Sequence, residues 1–223
     1  MTRLAATLLT LLAFGSAAAD MRHERHFGYA RGERVEVRES GSDLLWDLQG
    51  RYGGDYQGFV WKTEGLLEGG DAEDAELQLL YDRAITPYFN LQLGARWLDT
   101  DDGGLAWAVA GVQGLLPYRI ETDAALFLSE DGDAALRAEF EKDFLLTERL
   151  VLQPRAELDI AFSDILELDA ESGLSEASVG LRLRYEVTRK FAPYVGIAWE
   201  KHYYDLAGDA SDTTLLAGLR FWF

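Results

Sequence analysis

The sequence predicts an all-β fold: a transmembrane, antiparallel, up-and-down β-barrel of about twelve strands with both termini on the periplasmic side. Three observations predict it. Apolar and polar residues alternate with period two through most of the chain, which is the repeat of a strand and not of a helix. The connections between these runs alternate in kind, one short, the next acidic and rich in glycine. A secretory signal opens the chain, and an aromatic strand ends it.

The opening "MTRLAATLLTLLAFGSAAAD" carries Arg3, an apolar run from Leu4 to Phe14, and the small-x-small pair Ala17 and Ala19. That run has the length of a signal h-region and is too short to span a bilayer as a helix. Residues 1–19 are therefore expected to be a cleaved signal peptide, 20–26 a short leader and 27–223 the barrel. The chain has no cysteine, which excludes disulfides, thiolate metal sites and a lipid anchor on cysteine. The leader "DMRHERH" holds Met21, His23 and His26. Thioether and imidazole are copper-compatible ligands, and thioether favours Cu(I). The alternative is a solvated leader with no metal.

Strands are expected near 27–38, 43–53, 56–66, 73–84, 88–99, 105–116, 119–130, 133–146, 150–163, 174–187, 191–204 and 212–223. "LRLRYEV" puts Leu181, Leu183, Tyr185 and Val187 on one face and Arg182, Arg184 and Glu186 on the other. "DLLWDLQGRY", "LQLGARW" and "LQPRAELDIAF" separate in the same way. Each run meets the roughly 9–11 residues that a tilted strand needs to cross a bilayer. "GDY", "TPYF", "LPYR", "LTER" and "TRKF" are the short connections. "LEGGDAE", "DTDDGG", "EDGD", "SDILELDAESG" and "DLAGDASD" are the acidic ones. The last strand, "LRFWF", places Leu219, Phe221 and Phe223 on one face, as a closing, lipid-facing strand requires.

The inward faces are then strongly charged. Asp43, Asp47, Glu64, Glu76, Asp82, Glu121, Asp123, Glu139, Glu141, Glu157, Asp159, Glu186 and Glu200 stand against Arg51, Lys62, Arg96, Arg137, Arg155, Arg182, Arg184 and Arg220. Interleaved signs suggest ion pairs filling a narrow lumen, since unpaired charge there is costly. The rival is a cation path. A formal net charge of −18 argues against nucleic acid as a partner. His202, in "WEKHYYD", falls near the outer end of its strand, facing the lumen. It is a rim histidine or a further metal ligand. As the only histidine in the strands it is badly placed to serve a lipid-cleaving nucleophile outside the barrel, so no enzyme is expected. Asp99, Asp101, Asp102, Asp131 and Asp133 lack the spacing of a calcium loop.

The stretches "WDLQGRYGGDYQGFVWKTEG" (46–65), "AELQLLYDRAITPYFNLQLGARW" (75–97), "VLQPRAEL" (151–158), "LRLRYEVTRKFAPYVGIAWEK" (181–201) and "AGLRFWF" (217–223) resemble the copper resistance protein B family of bacterial outer-membrane proteins. The resemblance implies a β-barrel of the cell outer membrane, acting in copper resistance and copper homeostasis and binding or passing copper ions. It implies outer-membrane lipid, copper ions and periplasmic copper-handling proteins as partners. Family members often carry a long Met- and His-rich segment before the barrel; here only Met21, His23 and His26 match its composition. A general diffusion channel or structural barrel without a metal role is the competing expectation.

Overall fold

The computed structural model describes residues 26–38, 43–68, 71–100, 103–165, 171–203 and 210–223. The strands are β1 (Phe27–Arg38), β2 (Leu44–Gly53), β3 (Gln57–Glu68), β4 (Asp71–Ala84), β5 (Phe89–Thr100), β6 (Gly103–Leu116), β7 (Ile120–Ser129), β8 (Ala134–Glu141), β9 (Phe144–Leu145), β10 (Leu150–Ala161), β11 (Gly173–Tyr185), β12 (Phe191–His202) and β13 (Ala210–Trp222). Apart from β8 and β9, each pairs antiparallel with its neighbour along the chain, and β13 pairs with β1. β8 and β9 both lie against β10, as two pieces of one strand. The result is a closed barrel of twelve strands, with no open edge.

The break within that strand corrects the uninterrupted run expected at 133–146, and it has a local cause. Pro154 of β10 stands opposite Lys142 and has no N–H to donate, although its carbonyl still accepts from the Lys142 N–H at 3.2 Å. The chain leaves the ladder there, and Asp143 accepts from Arg184 Nη2 at 2.6 Å.

Short turns join the strands at one end of the barrel and longer loops at the other; these are called the turn end and the loop end. Side chains alternate as the sequence predicts. Leu79 is 61% exposed on the outer wall, while Glu36 on the inner wall is 1% exposed. Apolar outside and charged inside is the reverse of a water-soluble protein and suits a barrel surrounded by lipid.

β1 departs from strict alternation. Its register against β2 slips between Gly32 and Arg34. The bulge changes the phase of the strand, so the successive residues Glu33 and Arg34 both find partners inside. Gly32 beside it is required by the closing seam. A Cβ there would lie 2.7 Å from the Phe221 ring, which lies over β1. The Phe223 N–H donates to the Ala30 carbonyl at 2.8 Å, extending the seam to the last residue.

The inner wall also holds an apolar band. Val60, Leu80, Gly94, Val109, Phe127, Ala135 and Ala161 follow one another in register across neighbouring strands. Trp107 packs on this band, as does Ile165 from the loop after β10, which is 2% exposed. Leucine, valine and aromatic side chains facing inward are thus not scattered. The larger of two clusters among the described residues is this band with Trp107 and Ile165, and Tyr194, Ala198 and Leu216 form the second.

Candidate functional site: the lumen and its turn-end mouth

The inner wall is built from charged side chains that satisfy one another. Arg34 donates to Asp47 at 3.0 Å and to Glu64 at 3.1 Å. Arg137 reaches Asp159 at 2.9 Å and Glu76 at 3.3 Å, and Arg96 pairs with Glu76 at 2.6 Å. Arg155 contacts Glu139 and, at 2.9 Å, Glu157. Across the lumen Arg182 donates to Glu36 at 2.6 Å, and the Tyr194 hydroxyl donates to the same carboxylate at 3.0 Å. Arg38 grips Glu200 with two bonds of 2.7 and 3.0 Å at the loop end. Arg51 binds Asp82 at 2.8 Å nearer the turn end. Guanidinium suits this work because its planar fork serves several carboxylates at once.

Ion pairing is therefore the main content of the lumen, as the interleaved signs suggest. Sequence reading missed the contribution of β1. Arg31, Glu33, Arg34, Glu36 and Arg38 all make ion pairs inside. Their signal was present in "RGERVEVR", but the bulge splits it into two phases of alternation. The apolar band was missed because it runs across strands, where residues far apart in sequence meet.

The carboxylates also have an order. Asp123, Glu139, Glu157, Glu200 and Asp212 occupy a single register row, with Ser178 between Glu157 and Glu200. The row begins near the turn end of β7 and finishes at the loop end of β13. Like charges side by side repel, and here Arg155, Lys62 and Arg38 offset that repulsion.

A cavity of about 490 Å³ opens at the turn end, beside Pro87 and Tyr88. It reaches inward past Glu121, Asp123 and Glu141 to Glu64, Arg137 and Phe127. The Lys62–Asp123 pair and Gln113, which donates to Asp123 at 2.9 Å, line its side.

The predicted metal ligands are separated. His26 stands at the turn-end rim, on the outer side of the wall, with its ring 6.1 Å from that of Tyr52 and nearly parallel to it. Met21 and His23 lie outside the described residues. His202 is at the loop end, where it faces inward and its Nδ1 is 3.4 Å from Glu176. It belongs to the opposite mouth from His26 and cannot share an ion with it. No group of three His, Cys, Asp or Glu side chains arranged to hold a metal occurs among the described residues. Of the acidic loops, the Asp133 carboxylate accepts from Ser163 Oγ at 2.9 Å and from Ser129 Oγ of its own loop at 3.2 Å, which fastens two loops together. Asp101 and Asp102 lie outside the described residues.

Among solved structures the fold is similar to the NanC porin, with a TM-score of 0.54 and 11% identity over 87% of this chain and 99% of that one. It is also similar to the KdgM porin in complex with disordered oligogalacturonate, with a TM-score of 0.51 and 10% identity over the same shares. These likenesses concern the barrel alone. In sequence the chain is 37% identical to the copper resistance protein B homolog of Pseudomonas syringae pv. tomato, over 87% of this chain and 69% of that protein. It is 35% identical to copper resistance protein B of Escherichia coli, over 95% of this chain and 75% of that protein. The family described as copper resistance protein B precursor (CopB) matches residues 26–223, the whole barrel with its ion-paired wall, and this chain belongs to that family.

Proposed function

We propose that the chain is a non-catalytic barrel of the bacterial outer membrane that serves copper resistance by receiving copper ions at its periplasmic mouth. The turn end is then the periplasmic end, with the signal peptide removed and the leader beside the opening. The observation that carries this reading is the asymmetry of the lumen. Its cavity opens at the turn end, and the apolar band and Ile165 occupy the wall further in. Met21, His23 and His26 would supply thioether and imidazole ligands to the ion at that mouth. The carboxylates of the cavity raise the local cation concentration around them. Outer-membrane lipid surrounds the apolar wall, and periplasmic copper-handling proteins are the natural donors or acceptors of the ion.

Copper-dependent growth tests this. A strain lacking the protein should grow poorly at elevated copper, wild-type protein should restore growth, and the triple variant Met21→Ala, His23→Ala, His26→Ala should restore it only in part. Equal growth with and without the protein at every copper concentration would leave a diffusion or structural barrel instead.

A second reading, passage of the cation through the wall-lined lumen, is favoured by the carboxylate row from Asp123 to Asp212. Conductance across a planar bilayer separates the two. A closed or rarely opening barrel fits reception at the mouth, and a steady cation-selective current fits passage.

A further inference from the structure

The turn-end mouth has a second, smaller niche of opposite character. It lies between β1, β11, β12 and β13, and Arg31, Arg184, Arg189, Lys190 and Arg220 line it, opposed by Asp143 and Glu186 in its lining and by Glu33 behind Arg31 and Arg220. Five cations against three carboxylates leave a local positive excess on a chain whose formal net charge is −18.

Arg184 is the decisive residue. It is 2% exposed, and its Nη2 is engaged by Asp143 at 2.6 Å. Its Nε and Nη1 are buried and have no acceptor. Buried guanidinium donors are costly to leave unmade, so this position calls for an acceptor that the chain itself does not provide. Arg220 and Arg31 are held in place from one side by Glu33, at 2.9 Å for Arg220. Arg189 and Lys190 have no carboxylate partner among the described residues. Their turn is rigid: Trp222 Nε1 donates to the Arg189 carbonyl at 2.6 Å, and Lys190 Nζ sits 4.8 Å from the Trp222 ring centre. Arg184, Arg220, Arg31 and Lys190 are thus held by neighbours before any ligand arrives, which lowers the ordering cost of binding.

We propose that this niche is an oxyanion site that binds a phosphate group, with Arg184 as the buried anchor and Arg189 and Lys190 as the outer contacts. Arginine forks and a lysine point charge are the side chains that phosphate recognition uses. The phosphate can come free from solution or on the headgroup of an anionic phospholipid, because the exposed Phe191 and Trp222 bring the niche to the apolar outer wall. The site is independent of the copper reading.

The test is calorimetric titration of the refolded, detergent-solubilised barrel, free of copper, with inorganic phosphate and separately with soluble short-chain phosphatidylglycerol. Saturable binding of at least one probe is expected. It should weaken at least tenfold in Arg184→Gln and several-fold in the double variant Arg189→Gln, Lys190→Gln. Binding of phosphate alone identifies a free anion; tighter binding of the phospholipid identifies a headgroup. Should Arg184→Gln fail to refold, the double variant decides, since it alters only turn side chains. Saturation by neither probe, or binding unchanged in the variants, would overturn the proposal.

Discussion

At the scale of single residues, the charged part of the inner wall makes stability depend on charge partners. Glu36 shows this, because one carboxylate satisfies both Arg182 and the Tyr194 hydroxyl. Removing it leaves a buried guanidinium without its counter-charge, a loss of about 3–5 kcal/mol. Glu36→Ala should therefore lower the urea midpoint of the refolded barrel markedly, and the double variant Glu36→Ala, Arg182→Met should recover part of that loss. Equal losses in the single and double variants would show that the pair is not coupled. Gly94 gives a second test. A Cβ there would lie 2.0 Å from the Leu79 carbonyl oxygen, so Gly94→Val must push β4 and β5 apart. Lower refolding yield is expected for it than for Ala95→Val on the outer wall next to it.

At the scale of elements, the loop after β10 is anchored in the barrel interior by Ile165. Ile165 is buried in the cluster that holds Trp107, Val109 and Phe127, far from it in sequence. Ile165→Ala removes that anchor at a cost of about 2–5 kcal/mol if the cavity stays open. Limited proteolysis should then cut near residues 163–173 faster than in the wild type, with the strands left intact. An unchanged cutting rate would mean that Ser163 and its bond to Asp133 hold the loop alone. The elements themselves were largely legible in the sequence. Strands such as β11 and β12 are long enough for period two to be read without ambiguity. β1 was harder, since its bulge turns "GERVEV" from one phase to the other. The interruption between β8 and β9 was hidden for another reason: its cause, Pro154, lies on a different strand.

At the scale of the whole molecule, period two and alternating connections were enough to reach a closed barrel, because closure is the one way to leave no edge in lipid. The site was only half legible. Charge on the inner wall can be read from alternation, but which carboxylate meets which guanidinium depends on register across strands. The row from Asp123 to Asp212 and the niche around Arg184 emerge only when the barrel is closed. The sequence already sets His26 in the leader and His202 near the outer end of its strand, and the structure finds them at opposite mouths.

The central claim, copper reception at the turn-end mouth, is tested most directly by copper titration of the refolded mature barrel by calorimetry, under reducing and aerobic conditions. The triple variant Met21→Ala, His23→Ala, His26→Ala is run beside it. Saturable binding in the wild type that the triple variant loses is the predicted result. Binding that the variant retains in full, or none in either form, would contradict the claim.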